Sequence, residues 1–238
     1  MKINKAVILA AGRGTRMREL TAELPKPMIQ VRGKPVLQYI VEGLRKACIG
    51  ELLLVVGYRA DAVREFFGDG SRFNIAIQYV TQIVQDGTGR VVDLARDFVG
   101  KRPFILAYGD ILVDPANYES LVNLPGDVEA MLTVTRGEDV SKGGAVFVDD
   151  EMRVLDLREK PKPGEPTSQW YNAGLYAFHS TIFDFITKLK PSPRGEYELT
   201  DAVRDLAYSG KKVKALELTG TWADVRDPEI LARLNSQL

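Results

Sequence analysis

The run LAAGRGTRMRELTAELPKPM, Leu9 to Met28, joins the end of an apolar strand to two glycines and a set of spaced cations. That combination grips phosphate. Gly12 and Gly14 lack the Cβ atoms that would hold backbone amides away from an anion, and Arg13, Arg16 and Lys26 supply positive charge. A triphosphate calls for all of these. Two common templates are excluded by spacing: Met17 stands where GxGxxG needs its third glycine, and no Gly-Lys-Ser/Thr closes a Walker loop.

Such a turn needs a strand to launch it and a sheet to hold it. Apolar runs at Ala6–Ala10, Leu52–Gly57, Ile75–Val80 and Phe104–Tyr108 read as strands. Helical patterns at Val36–Cys48, Ala60–Phe67 and Thr88–Phe98 lie between them. This alternation predicts an α/β fold with a doubly wound, mostly parallel, Rossmann-like sheet whose ligands gather at the carboxyl ends of the strands. Both the glycine-rich turn and Asp110, just after FILAYG, fall at such ends. Beyond Asp110 the segments MLTVTR, AVFVDD, VLDLREK and WYNAGLYAF are strand-rich, followed by helices at Thr181–Leu189 and Leu199–Ser209, a strand at Val213–Leu218 and a helix after Pro228. We expect one domain over 1–238 with two lobes, one to about residue 110 that carries the anion-binding turn and a strand-rich one beyond it.

Composition narrows the partners. Thirty-two Lys and Arg balance thirty-two Asp and Glu, so no basic excess suggests nucleic acid or a membrane surface. No segment reaches the length of a membrane span, and a cytoplasmic protein is expected. The lone Cys48 cannot form an internal disulfide and, on the predicted helix, is expected to pack in the core. The lone His179 makes a His/Cys zinc site and a hydrolase triad improbable.

LAAGRGTRM and PKPM closely resemble the signature LAxGxGTRLxPLTxxxPKPM of the sugar-1-phosphate nucleotidylyltransferases, and later motifs follow in that family's order along nearly the whole chain. One departure lies in the loop, where Glu19 replaces the usual proline. The resemblance implies Mg²⁺ held by Asp110 and by Asp224 of GTWADVRDP, which is similar to GxWxDxGTPxD except that VR replaces its glycine-rich continuation. The two aspartates should then converge although distant in sequence. Asp227 is left to cap the helix entered at Pro228. For the nucleotide the resemblance implies Leu9, Ala11, Gly12, Gly14, Thr15, Arg16 and Lys26, with Gln82, Gly87 and Thr88 of QIVQDGTG at the base. A glutamine offers donor and acceptor together, which suits the imide edge of uracil or thymine. The same stretch also reads as a plain strand-to-helix loop with Thr88 starting the helix.

By the same resemblance the lobe to about residue 110 is the nucleotide-binding half and the strand-rich lobe beyond it the sugar-phosphate-binding half, where Glu159 and Asn172 hold sugar hydroxyls, Lys160 holds the sugar phosphate, and the backbone of Gly144 and Gly174 approaches the sugar. RGEYELTDAV, from Arg194, is similar to a segment of the glucose-1-phosphate thymidylyl- and uridylyltransferases, which shifts the sugar toward glucose. Arg194 is a phosphate contact on that reading, and Glu198 and Thr200 stay open between site and helix cap. The implied partners are a nucleoside triphosphate, UTP or dTTP, and a sugar 1-phosphate, with Arg16, Lys26, Asp110 and Lys160 catalytic. Other pairs stay open: GTP with mannose or heptose 1-phosphate, UTP with an amino sugar phosphate, CTP with phosphocholine. So does a non-catalytic homologue that binds nucleotide sugars. No hexapeptide repeat follows, which points to short relatives over bifunctional acetylating ones.

Overall fold

The computed structural model describes residues 2–14, 17 and 24–236. In chain order it has β1 (Lys5–Ala10), β2 (Gln30–Val31), β3 (Lys34–Pro35), α1 (Val36–Lys46), β4 (Glu51–Val56), α2 (Ala60–Phe67), β5 (Ala76–Thr81), α3 (Thr88–Asp93), α4 (Arg96–Val99), β6 (Phe104–Tyr108), β7 (Ile111–Val113), α5 (Ala116–Leu121) and β8 (Ala130–Thr135). The remainder is β9 (Gly144–Val148), β10 (Val154–Glu159), β11 (Trp170–Phe178), α6 (Ile182–Ile186), α7 (Leu199–Tyr208), β12 (Val213–Glu217), β13 (Trp222–Asp224) and α8 (Pro228–Ser236). The expected α/β architecture is present. None of the described helices is long and apolar enough to cross a membrane.

Two compact units emerge. One comprises Asn4–Ile83, Leu106–Ser120 and Thr219–Leu238. In it β1, β4 and β5 pair in parallel, with Lys5 opposite Glu51 and Glu51 opposite Ala76. β1 and β4 are almost wholly buried, as KAVILA and ELLLVV require of strands covered on both faces. Against this sheet α1 buries Val36, Leu37, Ile40, Val41 and Leu44 at helical spacing. Its Gly43 admits Tyr118, since a Cβ there would lie 2.6 Å from the ring. Burial pushes the Tyr118 phenol pKa upward.

Cys48 corrects an expectation. It is exposed, because α1 ends at Lys46 and Cys48 sits past it at φ +68, in the left-handed position that closes many helices. The N–H of Cys48 donates to Arg45 O and that of Ile49 to Leu44 O, turning the chain outward at the cysteine.

The other unit comprises Met1–Ile3, Val84–Ile105 and Leu121–Leu218. Here β10, β9 and β11 pair antiparallel, β8 pairs antiparallel with β11, and β12 runs parallel to β8. All nine residues of β11 are buried, and Phe104 stacks on Phe183 at 5.6 Å and lies 5.8 Å from Phe178. The single helix expected over Thr88–Phe98 is broken into α3 and α4. Arg96 explains the break: its guanidinium bonds Asp93, Phe183 O and Thr187, which holds that turn against α6.

Candidate functional site

At the end of β1 the chain is tied on both sides. Leu9 O accepts the N–H of Gly109 at 3.0 Å, and Ala11 O accepts that of Tyr58 at 3.4 Å. Gly14 adopts φ +70, and a Cβ there would lie 2.8 Å from Lys26 Cβ, so only glycine lets the turn close over the lysine stem. Gly12 is exposed with open space around it. Arg13 stacks on Tyr58, its guanidinium carbon 5.1 Å from the ring centroid. Thr15, Arg16 and Glu19 lie outside the described residues.

PKPM forms a single 3₁₀ turn that buries Pro27 and Met28 and so aims Lys26. Lys26 Nζ bonds Asp110 Oδ2 and lies 3.7 Å from Asp224 Oδ1. A small antiparallel ribbon brings the two aspartates to one lysine: β13 pairs with β7, Asp224 opposite Ile111, and Val225 N–H donates to Asp110 O at 2.9 Å. Asp227 caps α8, accepting the N–H of Ile230 at 3.0 Å. Gln82 N–H donates to Val56 O at 2.7 Å, placing that half-exposed residue directly beyond β5. Among the described residues no cluster of three or more acidic, His or Cys side chains could hold a metal. The pair Asp110 and Asp224 still offers the all-oxygen donors that a hard divalent cation takes, with water and phosphate completing the shell. Leu9, Ala11, Gly12, Gly14, Lys26, Gln82, Asp110 and Asp224 thus share one unit.

Gly87 and Thr88 belong to the other unit. Gly87 has φ +115, and a Cβ would meet the backbone of Tyr197 at 2.5 Å. The contact is a short ladder: Tyr197 N–H donates to Asp86 O at 2.8 Å and Gly89 N–H to Tyr197 O at 2.7 Å. Thr88 Oγ1 accepts the N–H of Leu199 at 3.1 Å, which caps α7 from 111 residues away. Glu198 occupies the N-cap position yet makes no side-chain cap bond, so the local helix-cap reading of that glutamate is corrected.

Its carboxylate does something else. Buried to 4% exposure, Glu198 accepts from Arg194 Nη2 at 2.6 Å and from Ser192 Oγ at 3.1 Å. Arg194 Nη2 also lies 3.8 Å from Glu159, and Lys160 Nζ lies 4.0 Å from the same carboxylate. These residues line a cavity of about 480 Å³ between β10 and α7, with Arg158, Asp201 and Tyr208 further along. Both residues precede α7 in irregular backbone, so no helical spacing marks the Arg194–Glu198 pair in the sequence.

Burial, reinforced by the neighbouring Glu198, pushes the Glu159 carboxyl pKa upward. The folded chain therefore holds this proton more tightly than the unfolded chain, and the Glu159 contribution makes stability fall as pH rises through its titration. Glu159→Gln should flatten that part of the pH–Tm curve and leave Tm at neutral pH equal to wild type or higher. Melting curves from about pH 4 to 7 check this, and a steeper mutant curve would contradict it.

Lys160 has φ +46, left-handed for a side chain with a Cβ, and its N–H donates to Gly143 O at 2.6 Å. Gly144 packs on β11, where a Cβ would lie 2.9 Å from Asn172 Cβ. Asn172 is buried and donates to Tyr176 Oη at 2.7 Å, next to a register shift in β11 where Gly174 has φ +77.

The chain matches the family model described as nucleotidyl transferase over residues 5–238. It is 36% identical to the bifunctional protein GlmU of Methanococcus maripaludis strain C5 over 231 residues, covering 97% of this chain and 53% of that protein. It is 35% identical to the glucose-1-phosphate thymidylyltransferase of Streptomyces griseus, covering 97% of this chain and 65% of that one. The chain thus spans about half to two thirds of the length of these relatives, and length does not separate the two kinds. A crystal structure of UDP-glucose pyrophosphorylase complexed with UDP-glucose superimposes with a TM-score of 0.88 at 23% identity, covering 98% of this chain and 97% of that one, which shows a shared fold.

Proposed function

This chain belongs to the nucleotidyl transferase family, and we propose that it transfers a nucleotidyl group from UTP or dTTP to a sugar 1-phosphate, glucose 1-phosphate first. One observation carries the reading. Asp110 and Asp224, from segments over a hundred residues apart, meet at Lys26 beside a glycine turn built for an anion. The names of the relatives support the acceptor class, since they include a glucose-1-phosphate thymidylyltransferase.

In the proposed reaction an oxygen of the sugar phosphate attacks the α-phosphorus; that P–O bond forms as the bridge to the β-phosphate breaks, and pyrophosphate leaves. A phosphate monoester is nucleophilic at neutral pH, so the protein supplies position and charge. Asp110 and Asp224 would hold Mg²⁺, whose chemistry is to neutralise charge on the phosphates. Lys26 is assigned to the reacting phosphate and, from its place in the motif alone, Arg16 to the departing pyrophosphate. The amides of the Leu9–Gly14 turn face the phosphate chain, which the open space at Gly12 permits. Gln82 reads the imide edge of the pyrimidine.

On the acceptor side Lys160 and Arg194 balance the sugar phosphate, and Glu159 accepts from sugar hydroxyls. Asn172 spends one amide hydrogen on Tyr176 and keeps the other for a hydroxyl. The backbone at Gly144 and Gly174 closes on the ring. A matrix of nucleoside triphosphates against sugar 1-phosphates with Mg²⁺, read as pyrophosphate release, tests the proposal. UTP or dTTP with glucose 1-phosphate should give the highest kcat/KM; preference for a purine would refute the role of Gln82, and no release from any pair would refute the activity.

A further inference from the structure

Glu198 is a buried acid that does nothing for the helix it precedes. Its side chain is 6% exposed, it makes no cap bond to α7, and the N–H of Leu199 goes instead to Thr88 Oγ1. Burying a carboxylate is costly unless donors meet it, and Glu198 Oε1 accepts from Arg194 Nη2 at 2.6 Å and from Ser192 Oγ at 3.1 Å. Both donors come from one turn. Gly195 N–H donates to Ser192 O at 2.8 Å, Ser192 N–H to Glu196 O at 2.8 Å, and Arg194 N–H to Ser192 Oγ at 3.3 Å. The serine hydroxyl thus ties the backbone of the arginine to the carboxylate that holds its side chain.

Arg194 is held through one nitrogen. Its side chain is 34% exposed, and Glu159 and Glu196 lie 3.8 and 3.6 Å from the same Nη2, too far for a hydrogen bond. Among the described residues Nε and Nη1 donate to none. An unheld arginine on such a turn would spread over many rotamers or settle on Glu159, and either would take its charge away from an incoming phosphate. We propose that Glu198, braced by Ser192, is the positioning residue for Arg194: it holds Nη2 so that Nε and Nη1 stay open to the cavity and meet the phosphate of the acceptor. The proposal rests on reading Arg194 as a contact of that phosphate.

Steady-state kinetics on the whole protein, with the sugar 1-phosphate that the substrate matrix ranks first, tests it. Glu198→Gln keeps the volume and loses the charge; it should raise KM for the sugar 1-phosphate about tenfold and leave KM for the triphosphate within about twofold of wild type. Arg194→Met should raise the same KM at least as much. Glu198→Gln added to Arg194→Met should raise KM no further and should raise Tm above that of Arg194→Met, because a buried charge without its partner is removed. A packing role for Glu198 predicts the reverse, additive losses in KM and a lower Tm in the double variant. Ser192→Ala goes alongside and should raise KM about threefold, so that a Glu198 variant that fails to fold leaves the test standing. Wild-type KM for the sugar phosphate in Glu198→Gln, or in Ser192→Ala should Glu198→Gln not fold, overturns the role of Glu198 alone when Arg194→Met raises it. Wild-type KM in Arg194→Met overturns the acceptor reading of Arg194 and the proposal with it.

Discussion

Asp110→Asn should lower kcat by about a thousandfold or more and leave Tm close to wild type, because a metal-binding charge is lost while little packing is. The side chain is 29% exposed, and its partner Lys26 is 13% exposed and retains Asp224 at 3.7 Å. The pair is part-buried and so is worth more than the roughly 0 to 1 kcal/mol of an exposed ion pair, but Lys26 keeps Asp224 nearby and the asparagine oxygen still accepts from it, so the fold should tolerate the change. Asparagine keeps the shape and one acceptor oxygen but not the charge that would hold Mg²⁺. The comparison is Asp227→Asn, three residues past Asp224, where asparagine still caps α8 and the rate should stay within about threefold of wild type. Steady-state pyrophosphate release in saturating Mg²⁺ decides the matter. A near-wild-type rate for Asp110→Asn sinks the assignment of that carboxylate to the metal.

How these two aspartates meet shows where sequence reasoning stops. FILAYGD reads plainly as a buried strand ending in a carboxylate, and Ala60–Phe67 reads as a helix with the bounds it has in the structure. β7 and β13, the ribbon that joins Asp110 to Asp224, are three residues each, too short for any period to register. Their convergence was an expectation of the motif order, not of the local pattern. Thr88 is legible as a helix start, yet its bond to Leu199 is not, since nothing local records a partner 111 residues away. Cys48 misled for a related reason. Its neighbours carry helical periodicity through Leu44, and the period does not announce that the helix turns left-handed at its end without a glycine. Arg226 was visible as a departure from the motif, but the carboxylate it faces became evident only once the chain returned beside β7.

Lys160→Gly should reduce kcat/KM for the sugar phosphate by about a hundredfold without lowering Tm, which separates chemistry from architecture at one position. The backbone there is at φ +46 and precedes Pro161, a setting that costs a side chain with a Cβ about 1 kcal/mol and costs glycine almost nothing. Glycine gives back a similar amount, roughly 0.5 to 1 kcal/mol, through the greater freedom of the unfolded chain. The two nearly cancel. The N–H bond to Gly143 is backbone and survives the substitution, and the ammonium's contact with Glu159 is long at 4.0 Å, so little else is lost from the fold. Lys160→Ala keeps the strained backbone and should match the glycine variant in rate while melting no higher. If the ammonium balances the acceptor phosphate, both variants keep the wild-type KM for the triphosphate and lose on the sugar phosphate alone. A glycine variant that retains its rate would show that Lys160 is a turn residue, and one that loses rate and Tm together would show that its part is structural.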